Sequence, residues 1–350
     1  MKQLRVGRFA LGAFSLLLGA YALLSGAEGN YHLVKTIPLG AAPGGGEYFD
    51  YINFDAGSRR VYVSHGTEVK VLNADTGKVV GTIGGLKRCH GVAIVPEVGK
   101  GFITDGDLAQ VFVFDLKTFK TISQINVSKD ADYILYDAAS KRIFVFAGDS
   151  KNATVIDPAK AAVISTIDLG GAPEQAVSDG KGTIYDNIQD TNEVVAIDSK
   201  TLKIKNRWPV APAGHPVSIA MDRQHRRLFV SGRGPQMLVE MDADSGKVIG
   251  EGFPIGSRVD TNIFDPALGI VAASTADGTI HIYHEDSPDK LSPVETVKTA
   301  FGAKTMALDP KTHNLYVDTS DFKPTAPTEK QPNPLPTAIP GNFRVMIYGR

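Results

Sequence analysis

Phe49 to Asp55 read FDYINFD, an apolar stretch with an acid near each end. The pattern returns as ADYILYD at 131–137 and as VDTNIFD at 259–265. The residues that close these and the intervening apolar runs are Asp55, Pro96, Asp137, Asp179, Asp222, Asp265 and Asp309, spaced by 41, 41, 42, 43, 43 and 44 residues. Each is followed by a polar turn and a second β-rich run, such as RRVYVS (59–64), KRIFVF (141–146) and RRLFVS (226–231). A third run comes next, for example VKVLN (69–73) or VVAID (194–198). Turns such as ADTGK (74–78) and ADSGK (243–247) lead to a fourth, VVGTI (79–83) or VISTI (163–167). Four short β runs per period of about 40 residues predict propeller blades. No amphipathic helix of useful length competes with that reading.

Seven closing residues predict an all-β, seven-bladed β-propeller with four antiparallel strands per blade. The last unit ends in FRVMIY (343–348) and lacks a fourth run, whereas YHLVKTIPLG (31–40) looks like a fourth run with nothing before it. Residues 31–38 are therefore expected to complete the blade begun at 305–348, closing the ring without an open edge. The closing aspartates suit turns in which Asp accepts backbone N–H bonds. DTG and DSG also surround aspartic-protease acids, but here they lie in repeated hairpins. Residues 319–342, TSDFKPTAPTEKQPNPLPTAIPGN, interrupt the period and are expected to form an extended loop without packed secondary structure.

Composition narrows the setting. A net charge of −1 over 350 residues argues against a nucleic-acid surface or a polybasic membrane patch. Lys2, Arg5 and Arg8 precede an uncharged apolar stretch from Phe9 to Leu24, and Ser25 and Ala27 follow as small residues. This predicts a signal peptide over 1–27 and a periplasmic or secreted chain whose propeller spans 31–350. An uncleaved anchor is the alternative; without one, the chain is expected to be a monomer with no membrane contact. Cys89 is the only cysteine, so no internal disulfide and no thiolate-rich metal site can form.

The opening acids carry the functional question. Five residues before each closing residue stand Asp50, Gly91, Asp132, Glu174, Val217, Asp260 and Lys304, and one or two further back come His90, Asp130, His215 and Arg258. The innermost strands of a propeller border its central channel, so Asp50, His90, Asp132, Glu174, His215, Arg258, Asp260 and Lys304 are expected to converge on one mouth. Crowded carboxylates need positive charge in answer. Three answers are open: internal neutralisation, a small polar or cationic ligand, or a divalent metal such as calcium held by oxygen ligands. No other cofactor is indicated. His65, His90 and His215 are possible bases, but no GxSxG elbow or HExxH motif accompanies them. Cys89 and His90 are adjacent on a strand and point to opposite faces, which argues against a thiolate–imidazole pair.

RRVYVSHGTEVKVLNADTGKVVGTI (59–83) and RRLFVSGRGPQMLVEMDADSGKVIG (226–250) resemble the YVTN-type repeat of exported bacterial propellers in the YncE-like family. The resemblance covers about residues 31–350 and implies a propeller outside the cytoplasm that serves as a binding scaffold for a small ligand or a protein partner. The repeat has no catalytic residues to transfer. Lactonase-like propellers have similar repeats, with CHGVAI (89–94) the nearest echo; they imply a metal-assisted hydrolase at the same mouth as the alternative. A third reading is a structural scaffold that uses blade edges and the 319–342 loop.

Overall fold

The computed structural model describes residues 1, 30–45, 47–327 and 334–350. Apart from Met1 the predicted signal segment lies outside these residues, and among them no helix is long and apolar enough to cross a membrane. Seven four-stranded antiparallel sheets follow one another along the chain. Blade 1 runs from Phe49 to Gly84, blade 2 from Cys89 to Asn126, blade 3 from Ala131 to Asp168 and blade 4 from Pro173 to Pro209. Blade 5 runs from Pro216 to Pro254 and blade 6 from Val259 to Lys298. Each innermost strand touches those of both neighbours, and that of blade 7, Met306–Leu308, touches those of blades 6 and 1. The ring is closed.

Closure uses both ends of the chain, as the truncated last repeat predicts. His32–Gly40 pairs antiparallel with Phe343–Gly349 as the outermost strand of blade 7, with Thr36 opposite Met346 and Ile37 opposite Val345. Apolar side chains fill the spaces between sheets. Tyr62 and Val71 of blade 1 pack in one cluster with Phe112 and Phe114 of blade 2, and Ile37, Val345 and Phe343 of blade 7 pack with Val61 and Leu72 of blade 1. Second and third strands are buried on both faces, which explains their nearly continuous apolar runs.

The closing aspartates cap turns. Asp55 Oδ1 accepts the Gly57 N–H at 3.0 Å, Asp137 that of Ser140 at 2.9 Å and Asp265 that of Ala267 at 3.0 Å. Several also bind the neighbouring blade: Arg59 of blade 1 donates both η nitrogens to Asp309 of blade 7, tying the closure on the face opposite the opening acids.

One expectation is corrected. The Pro-rich excursion is not without secondary structure: Phe322–Lys323 pairs with Thr337–Ala338 in a short ribbon. Phe322 lies 5.2 Å from Phe301 and 6.2 Å from Phe49, ring centre to ring centre, and Ala338 is buried with them. Two apolar residues suffice to anchor the segment at the ring.

Ile37 sits in the closure strand and is 7% exposed, while Val34 on the same strand is 48% exposed. Ile37→Ala is expected to lower unfolding free energy by about 2–5 kcal/mol, and Val34→Ala to change it by less than about 0.5 kcal/mol. Urea denaturation of the two variants checks this; equal effects would mean that the terminal strand does not hold the ring.

Candidate functional site at the channel mouth

Six innermost strands break their ladder at the same step. The register shifts between Phe49 and Ile52, Cys89 and Val92, Ala131 and Ile134, Pro173 and Ala176, Pro216 and Ser218, and Val259 and Thr261. Asp50, His90, Asp132, Glu174 and Asp260 fall inside these bulges. A bulge bends its strand and re-aims the extra side chain, here toward the axis. Small hydroxyls on the second strands bind the loosened backbone: Asp50 N–H donates to Ser64 Oγ at 3.1 Å, and Thr104 Oγ1 donates to the Asp132 carbonyl at 2.6 Å. Blade 2 carries Gly91 at the step because a Cβ there would lie 2.9 Å from Ile134 Cγ2 and 3.3 Å from the Asp132 carbonyl oxygen.

The acids meet, and they are answered from within. Lys304 Nζ donates to Asp50 Oδ1 at 3.0 Å and also to Asp260 Oδ2. Arg233 donates Nη2 to the other oxygen of Asp260 and Nε to the Val259 carbonyl at 2.9 Å. His90 Nδ1 lies 2.7 Å from Asp50 Oδ2 and 2.9 Å from Asp132 Oδ1. The Tyr48 hydroxyl donates to the same Asp50 oxygen at 2.7 Å. A continuous chain of contacts thus runs Asp132–His90–Asp50–Lys304–Asp260–Arg233. Glu174 hangs beside it, accepting from Gln189 Nε2 at 2.9 Å. Tyr51, adjacent to Asp50 in the bulge, is buried among all four acids.

Burial and partners set the charge states. Burial pushes Glu174 well above the usual carboxylate range and Asp132 reinforces it, against the smaller opposing pull of Arg233. Burial also works to raise Asp50, but Lys304, His90 and Tyr48 together hold it below its ordinary value. Desolvation would lower His90, yet the Asp132 and Asp50 carboxylates outweigh it and hold the ring up to about 10. Asp132 itself is raised, by burial first, although His90 opposes the shift. Asp50, Asp132 and Asp260 thus face three basic groups, Lys304, His90 and Arg233, and Glu174 stands beside them without a cation of its own.

Two predicted site residues stand apart. His215 is exposed at the rim, where its backbone N–H donates to Asn192 Oδ1 at 2.6 Å. Arg258 is exposed too and lines a cavity of about 240 Å³ above the network with Glu47, Tyr48, Lys304, Phe301 and Phe322. His65 is bound by Glu47 at 2.9 Å and stacks on Phe343 at 3.9 Å; that is a structural histidine. Cys89 is buried, and burial drives its thiol above the ordinary range. The reading missed Tyr48, Tyr51 and Arg233. Tyr48 lies two positions ahead of its opening acid and Arg233 at the end of a second strand, so a count along first strands passes them by.

Asp50, His90 and Asp132 could each turn one ligand atom toward a metal, those atoms lying within 4.8 Å of one another. The 2.7 and 2.9 Å separations from one ring nitrogen are those of a protonated imidazole beside its acceptors, so an ion would have to displace that proton.

No family model matches the chain, and no curated protein matches it in sequence. Solved structures do. A structure titled Mitotic Checkpoint Complex contains a chain superposing with a TM-score of 0.73 at 14% identity, covering 99% of this chain and 98% of that one. Hydrazine synthase of Kuenenia stuttgartiensis superposes with a TM-score of 0.69 at 14% identity, covering 78% of this chain and 92% of that one. At such identity the likeness is one of fold: a seven-bladed β-propeller.

A group whose folded pKa is raised stabilises the fold fully below its unfolded value and loses that contribution as pH rises through the folded value. His90 should therefore contribute stability that is complete below about 6.5 and lost as pH approaches about 10. Urea midpoints measured from pH 6 to pH 10 should fall more steeply in the wild type than in Asp132→Asn. Identical slopes would show that His90 is not held charged by its neighbours.

Proposed function

We propose that this protein is an exported, non-enzymatic propeller of the YncE-like type that binds a small carboxylate with an apolar body at the channel mouth. Export rests on the basic and apolar leader, and the family on the YVTN-like repeats. The ligand class rests on the cavity above the network. Its walls include Phe49, Phe301, Phe322, Leu335 and Ala338, and its polar groups include Arg258, Lys304 and Tyr48.

The observation that carries this reading is the state of the two cations. Arg258 has no side-chain hydrogen bond or ion pair among the described residues, so its donors are open to an incoming group. Lys304 spends two N–H donors on Asp50 and Asp260 and has a third to offer. Because Asp50, Asp132 and Asp260 are already bonded to Lys304, Arg233 and His90, a cationic ligand would have to displace one of those groups to reach them. An anion would find donors beside an apolar, partly aromatic wall, and hydrogen bonds between charged groups are the strong ones.

Binding is better supported than hydrolysis. His90 keeps its proton in the neutral range and so has no lone pair with which to take one from water. It is also 3% exposed, beneath Tyr48.

Thermal-shift and calorimetric titration with aromatic and medium-chain carboxylates, and with their amides as neutral controls, tests the assignment. Carboxylates should bind and amides should not. Arg258→Gln should weaken binding by about tenfold or more, matching about 1.5 kcal/mol for a charged hydrogen bond. Equal binding of acid and amide, or an unaffected Arg258→Gln variant, would sink the proposal.

A further inference from the structure

The turns after five of the seven innermost strands share a second regularity. Four residues beyond the closing aspartate, in left-handed backbone, come Arg59, Lys141, Arg226, Gly269 and His313, with φ of 55°, 56°, 57°, 62° and 60°. At three junctions this residue brings a basic side chain to the closing aspartate of the preceding blade. Arg59 binds Asp309, Arg226 lies 3.4 Å from Asp179, and His313 Nδ1 lies 2.7 Å from Asp265. Between blades 5 and 6 the position is Gly269, and among the described residues Asp222 receives no such basic side chain from blade 6.

Acids occupy the space instead. Glu285, whose backbone N–H donates to the Gly269 carbonyl at 2.8 Å, turns a carboxylate toward Asp222 and His225. His225 Nδ1 lies 2.5 Å from Asp222 Oδ2 and 3.8 Å from Glu285 Oε2, and the Asp222 and Glu285 side chains are each 4% exposed. Ligand atoms of the three lie within 4.8 Å of one another. Glu240, 3% exposed, adds a third carboxylate close enough for its charge and that of Glu285 to repel. Oε1 of Glu285 and Oε1 of Glu240 are buried without a hydrogen-bond partner. Arg227 approaches Glu240 only to 4.0 Å, because its donors serve Asp242, Asp289 and the carbonyls of His225, Arg226 and Pro288. Burial, with the mutual repulsion behind it, pushes Glu240 up to about 8.

We infer that Asp222, His225 and Glu285, with Glu240 behind them, form a divalent-cation site that staples blade 5 to blade 6 where the repeat omits its basic residue. Two or three carboxylate oxygens and one imidazole suit a zinc- or manganese-like ion, since calcium prefers an all-oxygen shell. The half-exposed His225 gives an ion access from solvent. The site is distinct from the channel network and does not depend on the ligand proposed there.

Gly269 makes the test specific. A Cβ there would lie 3.4 Å from His284 Nε2 and 3.5 Å from the Glu285 carbonyl oxygen, so a side chain fits, and Arg59 shows that arginine accepts this backbone. Chelator-stripped protein is titrated with ZnCl2, MnCl2 and CaCl2, followed by calorimetry and thermal unfolding. Zinc or manganese should bind once per chain and raise the melting temperature, with calcium weaker. Glu285→Gln and the surface change His225→Ala should each weaken binding by at least about tenfold, a loss seen even for outer-sphere partners. Gly269→Arg should abolish the metal response and raise the melting temperature of the metal-free protein. The site is refuted if the wild type binds none of these ions or prefers calcium. It is refuted equally if Gly269→Arg keeps the wild-type response, or if Asp50→Asn removes it instead.

Discussion

A ring has no beginning, but a chain does, and this fold depends on how that mismatch is resolved. The ladder between His32–Gly40 and Phe343–Gly349 joins the two ends inside one sheet rather than at a seam between sheets. A seam would rest on side-chain packing alone; a shared sheet adds backbone hydrogen bonds between the first and last strands. The geometry of the mouth follows from it. Asp50 and Lys304 are 254 residues apart in sequence yet hydrogen-bonded, and that contact exists only because blade 7 meets blade 1.

Once the ring is closed, electrostatics decides what the mouth can do. Carboxylates from blades 1, 3, 4 and 6 point at a common axis, where dehydration would be ruinous without compensation. The compensation is arranged as an alternating file, acid and base in turn, from Asp132 at one end to Arg233 at the other. Such a network is rigid because removing any member strands its neighbours. The spare donor of Lys304 is the part of it left facing the cavity, where Arg258 stands beside it outside the network.

Much of this was legible in the chain. The four-run period, the number of blades and the closure by residues 31–38 follow from apolar spacing and from one incomplete repeat. The convergence of Asp50, Asp132, Glu174 and Asp260 follows from counting back along first strands, because blades repeat in space as well as in sequence. Lys304 was found by the same count, though not its pairing with two acids. Tyr48, Tyr51 and Arg233 escaped because bulges spoil alternation locally and because a second strand can reach the axis from its end. The ribbon at Phe322–Lys323 and Thr337–Ala338 escaped for another reason: a ladder of two residues is too short to leave any periodic trace, and its anchorage is an aromatic contact across the ring. The acidic cluster at Asp222 was hidden by its own regularity, since the closing aspartate reads as a turn cap in every blade.

The recurring bulge has a consequence for how such a protein can change. At that step the side chain leaves the hydrogen-bonding pattern of its sheet, so the residue there is held by its blade without being needed by it. Gly, Val, Lys, Asp and Glu already occupy equivalent places in one molecule. Where the neighbouring blade leaves room, as it does not at Gly91, substitution at these points can change the chemistry of the pore entrance while the seven sheets go on pairing as before. The propeller behaves as a chuck with exchangeable jaws.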